Sequence, residues 1–275
     1  MIFEWESISS KSNPLIVRLG KLKDKKYRKE EGLFRFDGKK LFCEAVRNGV
    51  KLEYVLVSES SYEKNCDLVE NELYETDISP RLVVLSDAAF EKLTDERSPE
   101  GIVCVARYLD NLHANGDVSA LAGAPLRILM LESVRDAGNL GTIIRCARAF
   151  GIDRIVMSSD CADLYNSKTI RAAMGAIFTQ SVIITDSIPD AVRSLRESGY
   201  RVLAAALDEN AKKLGSFMLE RGDAILIGNE GHGLSSEAIK ACNDTVLIPM
   251  EKDSESLNAA IAASICMWEL YKAKN

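Results

Sequence analysis

Three short segments in the C-terminal half of the chain carry residue types that bind and orient. The first is Asn139-Leu140-Gly141-Thr142-Ile143-Ile144-Arg145. The second is Gly228-Asn229-Glu230-Gly231-His232-Gly233-Leu234. The third is Ile248-Pro249-Met250, followed shortly by Ser256-Leu257-Asn258. Each follows an apolar run and opens a helical pattern, the strand-to-helix turn at which open α/β sheets bind ligands. Packing alone needs few such residues there, so the three together indicate one composite pocket. Asn139 and Gly141 stand at a helix start, where Asn caps and Gly permits close approach. Arg145 offers a planar fork that suits phosphate, and an exposed helix Arg like Arg148 is the plainer alternative.

The glycine loop excludes the common nucleotide sites. Its spacing is G-x-x-G-x-G, not G-x-G-x-x-G, it follows a late strand, and no G-x-x-x-x-G-K-[ST] occurs in the chain. Glu230 would repel a polyanion among those amides but would tolerate a cationic or neutral ligand. His232, one of two histidines, could act as a base, but flanked by glycines it is expected to face solvent. Pro249 ends the last strand, and Ser256 is expected to cap the last helix. Asn258 would then lie inside that helix, where a poor helix former needs a partner.

The elements that must hold these segments alternate. Leu126–Leu131, Arg154–Met157, Ser181–Thr185, Arg201–Leu207, Ala224–Ile227 and Thr245–Ile248 have the pattern of short buried strands. Leu140–Phe150, Ser167–Ile177, Pro189–Ser198, Ser235–Cys242 and Ser256–Tyr271 have that of helices. Uninterrupted apolar strands between helices predict a parallel sheet covered on both faces. Upstream, strands at Leu33–Phe36, Tyr54–Val57, Leu82–Leu85 and Ile102–Ala106, with helices at Lys40–Asn48 and Asp87–Leu93, predict a smaller α/β domain. The expected division is 1–107, with a basic helical extension over 1–30, then a linker over 108–125 and a second domain over 126–275.

The 275 residues are 47% apolar, enough for two cores. Seven scattered Cys without a CxxC pair argue for reduced thiols in the cytoplasm and against a disulfide frame or a metal site. Cys146 and Cys266 fall within apolar helical patterns and are expected in the core. No apolar run has membrane-spanning length, and the N-terminus lacks the apolar stretch of a signal peptide. The net charge of −6 is unevenly spread: residues 1–50 hold twelve Lys/Arg against seven Asp/Glu, and residues 51–100 hold five against thirteen. The basic stripe includes Lys25, Lys26, Arg28 and Lys29, then Arg35 and Lys39. Such a stripe can neutralise phosphates, and a solvated helix face is the alternative. Tyr27, Phe34 and Phe36 among these charges suit an RNA-contacting surface and core anchors equally well.

Taken in order, N-x-G-x-x-x-R, G-x-E-G-x-G-L and I-P-M with S-L-N resemble the three motifs of the SpoU/TrmH RNA ribose 2′-O-methyltransferases of the SPOUT superfamily. The resemblance covers about 126–275. More loosely, Tyr27-Arg28-Lys29 through Lys39-Lys40 and Leu93-Thr94 through Gly101-Ile102 resemble the start and end of the substrate-binding domain of rRNA-modifying members, which is similar to small RNA-binding ribosomal proteins. The chain departs from the pattern at Ala259-Ala260-Ile261-Ala262, where Val-Ser-Val-Ala is frequent, at Asn229, where a small residue is usual, and at Phe36-Asp37-Gly38.

The resemblance implies a deep trefoil knot, which general topology rules do not predict. It also implies a homodimer through the C-terminal domain, with S-adenosylmethionine bound in the knot. Carried over by position, Gly228, Ile248 and Leu257 would contact the methyl donor, with Asn229, Gly231, Met250 and Ala205, Ala206 and Leu207 lining the same pocket. Asn139, Arg145, Glu230, Ser256 and Asn258 would form the catalytic surface, Arg145 facing the partner subunit's cofactor. The expected function is methyl transfer to a ribose 2′-hydroxyl of 23S-type ribosomal RNA, contacted through Lys25, Lys26, Arg28, Lys29, Arg35 and Lys39. The alternatives are a tRNA ribose methyltransferase, a catalytically silent RNA-binding protein on the same scaffold, and a small-molecule enzyme with a nucleotide cofactor.

Overall fold

A computed structural model describes residues 3–74, 76–114, 118–208, 211–251 and 256–273. The chain forms two compact units. One comprises residues up to Leu109 together with Tyr165–Phe178, and the other comprises Asp110–Leu164 with the remainder from Thr179.

The first unit contains β1 (Trp5–Ile8), α1 (Pro14–Gly20), α2 (Lys25–Glu31), β2 (Leu33–Asp37), α3 (Lys39–Arg47), β3 (Leu52–Ser58), α4 (Tyr62–Tyr74), β4 (Arg81–Leu85), α5 (Asp87–Phe90) and β5 (Ile102–Arg107). Its sheet runs β1-β4-β3-β5-β2, parallel from β1 to β3 and antiparallel beyond. Residues 1–30, expected as a helical extension, therefore also contribute an edge strand. α1 begins at Pro14 because Asn13 caps it, its Oδ1 accepting the Leu15 N–H at 2.9 Å. α2 ends at Gly32, whose φ of 65° is left-handed.

Alternation along β2 decides what it touches. Phe34 and Phe36 share one face. Tyr165 meets Phe34 at 4.7 Å between ring centroids, and Phe178 meets Phe36 at 5.3 Å. Tyr165 also stacks on Tyr108 at 4.1 Å, and its hydroxyl accepts the Leu109 N–H at 2.8 Å. These aromatic contacts place Tyr165–Phe178 in this unit, although in sequence it lies within the expected second domain.

The second unit contains β6 (Leu112–Ala114), β7 (Ile128–Leu131), α6 (Ala137–Ala149) and β8 (Arg154–Ser158). The chain then passes through α7 (Ser167–Ala173) in the first unit. It returns with β9 (Val182–Thr185), α8 (Ile188–Glu197), β10 (Arg201–Ala205), β11 (Lys212–Lys213), β12 (Asp223–Ile227), α9 (Ser236–Ala241), β13 (Asp244–Leu247) and α10 (Ala259–Lys272). Eight strands form one sheet in the order β11-β13-β10-β12-β7-β8-β9-β6, and every pairing is parallel. The stretch expected as a linker thus supplies an edge strand, because Leu112–Ala114 pairs with Val182–Ile184. α10 lies against α6 and β12. The buried Arg127 holds the end of α10, its guanidinium donating to Leu270 O at 3.0 Å and Ala273 O at 3.1 Å. Among the described residues no helix is long and apolar enough to cross a membrane.

Candidate active site

Strand order explains why the three segments meet. β13, β10, β12 and β7 are adjacent in the sheet, and all point the same way. The loops after β7, β10, β12 and β13 therefore leave from one edge, the carboxyl end where α/β sheets open a crevice.

The residue that caps α6 is Asp136, whose Oδ1 accepts the Asn139 N–H at 2.8 Å. Asn139 is thus not the cap expected from the sequence, and its side chain is turned to other partners. Its Nδ2 donates to Glu230 Oε1 at 2.9 Å, and its Oδ1 accepts from Asn258 Nδ2 at 3.0 Å. Asn258, not Ser256, is the N-cap of α10, its Oδ1 accepting the N–H groups of Ala260 at 2.9 Å and Ile261 at 3.3 Å. A poor helix former stands there because it lies at the helix boundary, where its side chain has two tasks. One chain of hydrogen bonds, Asn258 to Asn139 to Glu230, thereby joins all three segments. An acidic residue three positions before Asn139 was the available signal for Asp136.

The loop after β12 is closed tightly. The main chains of Asn229 and Gly233 pair at 3.0 Å in both directions, and Asn229 Oδ1 accepts the N–H groups of Gly231 at 2.8 Å and His232 at 3.1 Å. A Cβ on Gly228 would run into the main chain of Gly233 and Leu234, so a side chain does not fit there.

Beside this loop is a cavity of ≈ 440 Å³. Gly228, Asn229, Glu230 and Gly231 line it together with Ala205, Ala206, Leu207, Ser256 and Leu257. A smaller apolar cavity of ≈ 130 Å³ shares Ala205–Leu207, Ser256 and Leu257 and adds Ile248 and Met250. Apolar walls with a few convergent polar groups are the make-up of a small-molecule site. His232 is exposed as expected, and it also borders the larger cavity. Sequence reasoning missed Val246 and Ala262, which line these walls. Arg145 lines neither cavity. It is exposed on α6 and takes no hydrogen bond or ion pair among the described residues.

The basic residues of the first unit separate into two kinds. Arg28 is 4% exposed and its Nη1 donates to Leu22 O at 2.7 Å and Lys23 O at 2.6 Å. Arg35 is 4% exposed and pairs with Asp95 at 2.9 Å. Both were expected to contact RNA, and both are instead internal braces, because β2 and the turn before α2 bury them. Lys25, Lys26 and Lys29 are exposed, and Lys39 is half-buried. Of the two cysteines expected in the core, Cys266 is buried, with its thiol pushed up to about 12 by desolvation, and Cys146 is half-buried. Among the described residues no group of three or more His, Cys, Asp or Glu is arranged to hold a metal ion.

A model of the SpoU rRNA Methylase family matches residues 126–268, more than half of the 275 residues. The chain belongs to the SpoU rRNA methylase family. It is accordingly an S-adenosylmethionine-dependent RNA 2′-O-methyltransferase with rRNA as its substrate class. A second model, described as an MRM3-like substrate binding domain, matches residues 13–104. The chain is 29% identical over 265 residues to the 23S rRNA (guanosine(2553)-2′-O)-methyltransferase RlmP of Bacillus subtilis, covering 96% of this chain and 99% of that one. It is 28% identical over 287 residues to the mitochondrial rRNA methyltransferase 3A of Danio rerio, covering 88% and 64% of the two chains. The fold is similar to the crystal structure of an AdoMet-bound rRNA methyltransferase from Sinorhizobium meliloti, with a TM-score of 0.81, 25% identity and 97% of each chain covered.

Proposed function

We propose that this SpoU methylase modifies a ribose 2′-hydroxyl of 23S-type rRNA in the cytoplasm, as a homodimer joined through its larger unit, whose C-terminal tail is threaded as a trefoil knot. The observation that carries the site assignment is the Asn258–Asn139–Glu230 chain, which ties Glu230, at the wall of the larger cavity, to Asn139 and Asn258, which line a separate adjoining hollow with Ile261 and Trp268. The residues present fit S-adenosylmethionine. Ile248, Met250, Leu257 and Ala205–Leu207 give apolar walls for a flat ring system, Gly228 lets the loop fold back on its own main chain beside them, and Glu230 in the wall of the larger cavity tolerates a cation. When bound, the cofactor supplies a methyl group on a sulfonium centre.

This chain's residues must hold the sugar in line and stabilise charge as the hydroxyl loses its proton. Asn139, Glu230, Ser256 and Asn258 orient the sugar. Arg145 clamps a substrate phosphate, because a guanidinium stays protonated and makes a poor base. Arg145 is six residues beyond Asn139, about 240° around the helix, so the two point to different sides. That placement fits a site completed by the partner subunit. So does the apolar face of α10, where Ile261 is 53%, Trp268 46% and Tyr271 51% exposed. In the smaller unit, Lys25, Lys26, Lys29 and Lys39 supply the phosphate contacts.

The test is to incubate the protein with in vitro transcribed 23S rRNA and labelled S-adenosylmethionine, then map the methylated ribose. Calorimetry would measure donor binding in parallel. Donor binding with no methyl transfer to any RNA would favour the silent RNA-binding alternative, and transfer confined to tRNA would move the substrate assignment.

A further inference from the structure

Asp160 lies just past β8, at the strand end next to β7, and the roles above do not use it. Its Oδ1 accepts from Ser158 Oγ at 2.6 Å. Its Oδ2 accepts from Ser133 Oγ at 2.6 Å and from Arg135 Nη2 at 3.1 Å. Burial alone would raise its pKa, but the donors Ser133, Ser158 and Arg135 outweigh that and hold the carboxyl below its usual range.

What these bonds hold is a strained residue. Ser133 has φ of 55°, a left-handed conformation that residues other than glycine seldom adopt. Its N–H is fixed as well, donating to Ser158 Oγ at 2.8 Å. Turned this way, the Ser133 carbonyl accepts from Asn229 Nδ2 at 2.7 Å. Asn229 in turn caps the Gly231 and His232 amides, and Glu230 sits inside the loop so tied. Hydrogen bonds thus run without a break from Asp160 through Ser133 to Asn229, and from Glu230 to Asn139 and Asn258.

We propose that Asp160 is a positioning residue for methyl transfer: by holding Ser133 in its left-handed conformation it fixes Asn229, and through Asn229 the loop that carries Glu230. Only the activity arm of the test rests on the function proposed above. The competing view is that Asp160 merely pairs with Arg135 at the surface.

Glycine separates the two, because it adopts positive φ without support. Three variants are compared with the intact protein: Asp160→Asn, Ser133→Gly, and both together. With 23S rRNA transcript and labelled donor, Asp160→Asn is expected to lower kcat by about tenfold to a hundredfold with little change in KM, as a misplaced site does. The double variant is expected to recover to within about threefold of Ser133→Gly. A double variant as slow as Asp160→Asn, or an Asp160→Asn variant with full kcat, would overturn the proposal. Hydrogen exchange at the Gly231 and His232 amides gives a readout independent of activity. Slow exchange is expected in the intact protein and the double variant, and faster exchange in Asp160→Asn. Equal protection in Asp160→Asn would sink the idea even if the transcript is not a substrate, and absence of transfer by the intact protein would count against the proposed function alone.

Discussion

Arg35 and Arg145 carry the same charged group to opposite ends. Arg35 sits on a strand buried on both faces, with Asp95 for a partner. Arg145 stands on an exposed helix face without a partner among the described residues. A guanidinium inside the fold is committed to its partners there, whereas one left solvated on a helix face is available to a substrate. Sequence shows residue type and spacing, but burial separates these roles. The same contrast runs through the first unit, where Arg28 is internal while Lys25 and Lys29 are exposed.

The contrast is most sharply tested at Arg145. Arg145→Ala is expected to lower methyl transfer by about 10²–10³-fold, the cost of removing a charge-stabilising donor, with donor affinity and thermal stability unchanged. Arg145→Lys retaining near-full turnover would defeat the bidentate clamp.

The next effect is one of stability, at the buried end of the comparison. Desolvation, partly offset by the Thr94 hydrogen bond and Arg35, pushes the Asp37 carboxyl up to about 6. The folded state therefore holds a proton that the unfolded chain releases near pH 4. Stability should fall as pH rises from about 4 to 6 and level off above, by about 2–3 kcal/mol in all. Asp37→Asn should abolish that slope in urea titrations at pH 4.5 and 7, and Arg35→Met should steepen it by removing the compensating charge. A flat profile in the intact protein would show that Asp37 is better solvated than its burial implies.

The smallest effect on the fold belongs to the exposed lysines. Replacing Lys25, Lys26 and Lys29 with Ala should leave stability within about 0.5 kcal/mol. The salt dependence of RNA binding should nevertheless weaken by about 2–3 in log–log slope, one unit or less per lost phosphate contact. An unchanged slope would return the stripe to a plain solvated surface.

The three motif segments and most of the strands were legible because each is local: a run of apolar residues, a turn-forming glycine, a polar cluster at fixed spacing. Trp5–Ile8 and Leu112–Ala114 were not, since an edge strand is short and its pairing partner is remote, Leu82–Leu85 for one and Val182–Ile184 for the other. Ser256 has the residue type of a helix cap, but α10 starts only at Ala259, so Asn258 holds that place through the Ala260 and Ile261 N–H groups, and its amide reaches Asn139 only in the folded chain.

The sequence by itself determined the alternation of strands and helices, the order of the three motifs and the absence of common nucleotide fingerprints, because these follow from residue type and local spacing. The tertiary structure alone decided that β13, β10, β12 and β7 lie side by side, that Tyr165–Phe178 packs with the first unit, and that Arg28 and Arg35 are internal. Those outcomes depend on contacts between residues far apart in the chain, where burial rather than composition fixes what a polar side chain does.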